Sequence, residues 1–140
     1  MSSLATRFVA ILAVAAFSIG NVANADTIAG WTFETSIPTT AGPHAAEIGV
    51  GAALGFHASG SVVYSNPAGN GSAESFSSNF WAAGDYYQFS VATTGLSQIM
   101  FVWDQTGSST GPRDFDLQYD AGSGFVTATS YSLTGESWSS

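Results

Sequence analysis

The stretch that decides the fold is Asp114-Phe115-Asp116-Leu117-Gln118-Tyr119-Asp120, followed by Ala121-Gly122-Ser123-Gly124 and then by Phe125 to Leu133. Phe115, Leu117 and Tyr119 point one way along an extended chain, and Asp114, Asp116, Gln118 and Asp120 the other. A period of two is the mark of a half-buried β-strand. The small residues that follow predict a hairpin turn, and Phe125, Thr127, Thr129, Tyr131 and Leu133 form the face of a returning strand.

Upstream, the same alternation separates Tyr87, Phe89 and Val91 from Tyr86, Gln88 and Ser90, which predicts another half-buried strand. Thr93-Thr94-Gly95 turns the chain. Gln98 to Asp104 is apolar on both faces, the pattern of a central strand, and Gly107 to Pro112 is a Ser/Gly/Pro loop. Nearer the start, Gly30 to Glu34 reads as a short first strand, Ser36 to Pro43 as loop, and Ser61 to Tyr64 as another short strand. Ala45 to Phe56 fits one or two helical turns, although its glycines argue against a long helix. Asn66 to Gly71 is a cluster of turn formers, and the Asn70-Gly71-Ser72 acceptor pattern inside it is read as part of that turn. No segment after residue 25 sustains a 3.6-residue period. Short strands with a turn about every ten residues predict an all-β domain over 26–140, an antiparallel β-sandwich of jelly-roll or galactose-binding-like type. The chain ends at Glu136-Ser137-Trp138-Ser139-Ser140 with no closing strand, and the sandwich is expected to be truncated there.

The first 25 residues carry a different signal. Arg7 precedes an apolar run, Phe8 to Ile19, broken by Gly20-Asn21 and ended by Ala23-Asn24-Ala25. A basic start, an apolar centre and an A-x-A exit predict a secretory signal peptide cleaved between Ala25 and Asp26. The run is too short for a spanning helix, which needs about 20 residues. No later run is long enough to cross a membrane, so the mature chain is expected to be secreted or displayed on the outer surface.

Composition narrows the partners. All ten acidic residues follow the leader, where Arg113 is the one base, and the whole chain has a net charge of −8. Such a surface repels nucleic acid and anionic lipid. There is no cysteine, so stability must come from the core, an ion or further chain rather than from disulfides. Aromatics make up 14% of the chain, too many for a disordered segment.

Several blocks resemble secreted bacterial proteins of the PEP-CTERM class. They are Gly30-Trp31-Thr32-Phe33-Glu34, Gly69-Asn70-Gly71-Ser72, Gly84-Asp85-Tyr86-Tyr87-Gln88-Phe89, Thr93-Thr94-Gly95, Trp103-Asp104-Gln105-Thr106 with the following Gly107-Ser108-Ser109-Thr110, Gly111-Pro112-Arg113-Asp114-Phe115, and Leu117-Gln118-Tyr119. The resemblance covers most of Ala29 to Tyr119. It implies a Gram-negative exporter, a β-sandwich ectodomain, an exopolysaccharide or biofilm-matrix setting, and processing by an exosortase at a C-terminal signal. That signal, a Pro-Glu-Pro motif with an apolar helix and basic residues, is not in this sequence, in keeping with the expected truncation. The class is defined by sorting and brings no catalytic residues.

The residues themselves offer three candidate constellations. Asp114 and Asp116, two apart on one strand face, have Cα atoms roughly 6.6–6.8 Å apart. That is near the carboxyl spacing of inverting glycosidases, roughly 6.5–9.5 Å, but a solvated strand face explains them more simply. Asp104, Asp114 and Asp116, helped by loop carbonyls, are weak candidates for calcium, which wants several hard oxygens. Trp81, Tyr86 and Trp103 form a candidate aromatic platform for sugar rings, with Tyr86 pointing outward and Trp103 buried on its strand, and with Arg113, Asp114 and Asp116 as polar partners. Arg113 is expected to pair with Asp104 or Asp114 and pin the preceding loop. His44 and His57 read as exposed loop residues, and Gly107-Ser108-Ser109-Thr110-Gly111, which fits the spelling G-x-S-x-G, reads as part of the Ser/Gly/Pro loop, so a serine-hydrolase triad has no support in the sequence. The expected function is a non-catalytic extracellular or surface-matrix protein without a bound cofactor. A carbohydrate-binding module for exopolysaccharide or surface glycan is the alternative, and a calcium-assisted glycan-active enzyme a second one.

Overall fold

The computed structural model describes residues 6–9 and 26–139. Apart from residues 6–9, the expected signal peptide and its Ala25 cleavage position lie outside these residues; Asp26, on the other side of the bond, is exposed.

The protein is all-β, with no helix among the described residues. The strands among the described residues are β1 (Thr6–Val9), β2 (Ala29–Gly30), β3 (His44–Ala45), β4 (Ile48–Gly49), β5 (Gly51–Phe56), β6 (Tyr64–Ser65), β7 (Ser77–Ser78), β8 (Tyr86–Val91), β9 (Asp114–Asp120) and β10 (Phe125–Ser132). Six form one sheet in the order β10-β9-β1-β8-β5-β3, and the two pairs β2-β4 and β6-β7 form separate ribbons. Within the large sheet β9–β10, β5–β8 and β3–β5 pair antiparallel. β1, which falls inside the expected signal peptide, is parallel to both β8 and β9 and joins the two halves of the sheet.

The expected β9–β10 hairpin is present. Its turn is held by the Asp120 carboxylate, whose Oδ1 accepts the backbone N–H groups of Gly122, Ser123 and Gly124 at 2.7, 3.0 and 2.9 Å. Gly122 and Gly124 sit at φ +97° and +95°, which side-chain-bearing residues rarely adopt. β8 also forms where its alternation predicts. The strict alternation of β9 breaks at its far end, where Gln118 is buried and Tyr119 is 45% exposed.

Several expectations are corrected. Trp31 to Glu34 follows β2 without strand structure, and of Ser61 to Tyr64 only Tyr64 is in a strand, at the start of β6. Ala45 to Phe56 holds no helical turn; it runs through β3, β4 and β5. The glycines that dilute the helix signal serve close packing across a strand. A Cβ at Gly51 would meet the Trp31 indole at 2.8 Å, and one at Gly55 the Tyr64 ring at 2.6 Å. Gln98 to Asp104 is not a central strand either. It is a segment outside the sheet, with Ile99, Met100 and Val102 exposed, Val102 by 64%. Trp103 is accordingly half-exposed rather than buried.

One face of the large sheet carries the aromatic core. Tyr87 and Phe89 of β8, Phe115 of β9 and Tyr131 of β10 share this face by parity. The ribbons lean on it through Trp31 against Phe89 (centroids 5.1 Å, edge-on) and Phe76 stacked on Tyr87 (4.3 Å). Phe101 and Trp103 continue the row, stacked at 4.9 Å, and Trp103 reaches Tyr131 at 5.7 Å.

Candidate functional site

A cleft of about 800 Å³ opens along this aromatic face. All four tryptophans, Trp31, Trp81, Trp103 and Trp138, border it. Its polar rim includes Glu74, Asp104, Gln105 and Glu136.

The walls are fixed by identifiable contacts. Trp31 donates its indole N–H to the His44 carbonyl at 3.2 Å, and Trp81 donates to the Ser78 carbonyl at 2.9 Å. Trp103 donates to Gln105 Oε1 at 3.3 Å, where the Tyr131 hydroxyl also donates at 2.5 Å. Burial pushes the Tyr131 hydroxyl up to about 12, so it stays protonated as that donor. The Trp31–Ser36 segment is clamped by Glu47. One carboxylate oxygen accepts from the backbone N–H and the hydroxyl of Thr32; the other accepts from the Thr35 N–H at 2.6 Å, the Thr35 hydroxyl at 3.1 Å and the Ser36 N–H at 3.4 Å. Desolvation raises the Glu47 pKa, but these donors more than reverse it and hold the group at about 2. The clamp secures a turn in which Phe33 takes a left-handed φ of +61° and is buried.

A second cluster lies where three strand ends meet at the edge of the cleft. His57 follows β5, Ser78 ends β7 and Asp85 precedes β8. Ser78 Oγ is 2.9 Å from His57 Nε2 and 2.6 Å from the Tyr87 hydroxyl. His57 Nδ1 is 3.0 Å from Asp85 Oδ2, at ion-pair distance though outside hydrogen-bond geometry. The side chains of His57 and Asp85 are 1% and 2% exposed. Asp85 accepts the backbone N–H groups of Ala58 and Ala82, each at 2.7 Å. Burial lowers the His57 pKa from its ordinary value, against an upward pull from Asp85. Burial raises the Tyr87 pKa.

The sequence-read candidates separate in space. Trp81 and Trp103 line the cleft, but Tyr86 does not; it lies on the opposite face of β8, stacked on Phe56 at 4.6 Å. Asp114 and Asp116 lie along β9 and accept hydrogen bonds from Ser132 and Ser130 of β10, both at 2.6 Å. Among the described residues no three His, Asp or Glu side chains gather as a metal cage, and Asp104 stands on the cleft rim. Arg113 donates to the Gly135 carbonyl at 2.5 Å, tying its loop to the segment after β10. Neither histidine is an exposed loop residue. His44 is buried on β3 with Nε2 3.0 Å from the Thr40 carbonyl oxygen, and His57 is buried among the rings of Tyr64, Trp81 and Tyr87.

Sequence reasoning missed the contributions of Trp31, Trp138 and Gln105 to the cleft, and the whole Ser78, His57, Asp85 cluster. No local motif joins these last three, so only the fold reveals them. No known protein family, curated protein or solved structure matches the chain.

Proposed function

We propose that the protein is exported and binds an extracellular glycan, an exopolysaccharide or surface polysaccharide, in the aromatic cleft. The carrying observation is that all four tryptophans border one cleft whose rim supplies carboxylates and an amide. Sugar rings present apolar C–H faces that stack on indoles, while their hydroxyls need hydrogen-bonding groups at the edge. A mostly apolar cavity with several aromatic walls and a few polar groups at its rim suits such a ligand. The leader and the acidic, cysteine-free composition support export, and the PEP-CTERM resemblance supports a polysaccharide matrix as the setting. On this reading the large sheet is one layer of a jelly-roll type sandwich, and the ribbons that lean on its aromatic face belong to the other.

Glycan-array binding, with and without calcium, tests the proposal. Binding by the wild type, weakened at least about tenfold by Trp103→Ala and unaffected by Tyr86→Ala, supports it. Binding that depends on Tyr86 and ignores Trp103, or no glycan bound, refutes it.

A further inference from the structure

We propose that Ser78, His57 and Asp85 form a catalytic triad that hydrolyses small acyl esters, with the Tyr87 hydroxyl as the donor that stabilises the oxyanion. The proposal goes beyond glycan binding and depends on it only for the alcohol half of the natural substrate, an acylated sugar hydroxyl.

The arrangement meets the requirements of nucleophilic catalysis in order. A serine hydroxyl is a weak nucleophile unless a base within hydrogen-bond reach removes its proton. His57 Nε2 is 2.9 Å from Ser78 Oγ. That base must be neutral at working pH, and the burial that lowers the His57 pKa favours the neutral ring. The base in turn needs a group that orients it. Asp85 stands 3.0 Å from Nδ1, pinned by two backbone N–H groups. The hydrogen bonds run consistently. One proton assignment satisfies the contacts at Ser78: the Tyr87 hydroxyl donates to Ser78 Oγ and Ser78 donates to Nε2, which places the ring proton on Nδ1, 3.0 Å from Asp85. The off-axis meeting of Nδ1 and Asp85 is common in free enzymes, whose catalytic hydrogen bonds tighten when substrate binds. The side chains of His57 and Asp85 are 1% and 2% exposed, and Ser78, of intermediate burial, is among the residues that border the cleft a substrate would enter.

The chemistry balances without a cofactor. Ser78 Oγ adds to the ester carbonyl carbon as its proton passes to His57 Nε2. The tetrahedral oxyanion accepts a hydrogen bond from the Tyr87 hydroxyl, which its raised pKa keeps protonated. The carbon–oxygen bond to the alcohol breaks, and the leaving oxygen takes the proton from Nε2. Water then attacks the acyl-Ser78 in the same manner, releasing the carboxylic acid and restoring the serine.

The same four groups would also serve as a structural polar network, and the test separates the two roles. The full chain is treated with a fluorophosphonate probe, the labelled residue is located by mass spectrometry, and hydrolysis of p-nitrophenyl acetate is followed in parallel. The expected results are labelling at Ser78 and hydrolysis that falls at least about a hundredfold in Ser78→Ala, with Ser97→Ala, on an exposed loop, unchanged. Tyr87→Phe is expected to lower the rate while Ser78 remains labelled. Failure of the folded wild type to label at Ser78, or hydrolysis no faster than that of Ser78→Ala, overturns the proposal. The labelling readout is made on the wild type, so it decides the matter even if a variant fails to fold. It is also independent of the glycan assay, so either reading can fail alone.

Discussion

Glu47→Gln is the most informative single perturbation of the cleft wall. The substitution keeps the size of the side chain but replaces one acceptor oxygen with an NH₂ group. That group then faces either the Thr32 donors or the Thr35 and Ser36 donors, which lose their partner. The fall of the carboxyl pKa from an ordinary 4.5 to about 2 sets an upper bound of roughly 3 kcal/mol on the preference of the folded chain for the charged form. The site is open to solvent, so screening reduces this to roughly 1–2 kcal/mol. For a chain of this length, each kcal/mol shifts Tm by roughly 4 °C, so Glu47→Gln is expected to melt about 4–8 °C below the wild type at pH 7. The sign with pH follows from linkage. The folded pKa is depressed, so the stabilisation is full above 4.5 and is lost as the pH falls towards about 2. By pH 3 the gap between wild type and variant falls to roughly 40% of its value at neutral pH. Calorimetric melting of both proteins at pH 7 and pH 3 measures it. Equal Tm values at pH 7, or a gap of the same size at both pH values, would refute the carboxylate clamp.

Other consequences are as specific. Gly55→Ala drives a Cβ to 2.6 Å from the Tyr64 ring and is expected to cost roughly 1–3 kcal/mol, whereas Gly60→Ala meets nothing within 4 Å and should be neutral or slightly stabilising; denaturant titration compares them. The depressed His57 pKa means that the unfolded chain takes up a proton below about 6.5 before the folded one does, so Tm should fall as the pH drops from 7 to 5.5, and a flat profile there would count against the buried histidine. Asp120→Ala removes the acceptor for three turn N–H groups and should speed amide exchange at Gly122, Ser123 and Gly124 selectively. A chain starting at Asp26 lacks β1 and exposes the facing edges of β8 and β9, so amides of Tyr86–Gln88 and Phe115–Gln118 should exchange faster than in the full chain; equal protection would show that the sheet does not need that strand.

The elements legible in the sequence are those whose side chains face two different environments. β8 and β9 alternate because one face carries the aromatic core and the other is more polar, and the Asp120 turn announces itself through Gly122 and Gly124. β5 is hidden in the sequence because Gly51 and Gly55 leave room for Trp31 and Tyr64, a tertiary demand that looks locally like a poor helix. Gln98–Asp104 misleads in the opposite direction. Its continuous apolarity arises from Phe101, Val102 and Trp103 along the cleft and from exposed Ile99 and Met100, not from burial in a sheet. Parity puts Tyr86 on the face of β8 opposite Tyr87, where it stacks on Phe56, and so removes it from the cleft that Trp81 borders. His57 reads as a loop histidine because nothing nearby in sequence reveals that Asp85 and Ser78 will close around it.

The central claim is that a glycan occupies the aromatic cleft. Its most direct test is a ¹H–¹⁵N titration that follows the four tryptophan indole N–H signals as the best array oligosaccharide is added to the full chain. Saturable shifts at Trp103 and Trp31, with the backbone amides of Phe56 and Tyr86 on the far face unmoved, are the predicted result. Shifts centred on Phe56 and Tyr86 while all four indoles stay still would contradict it.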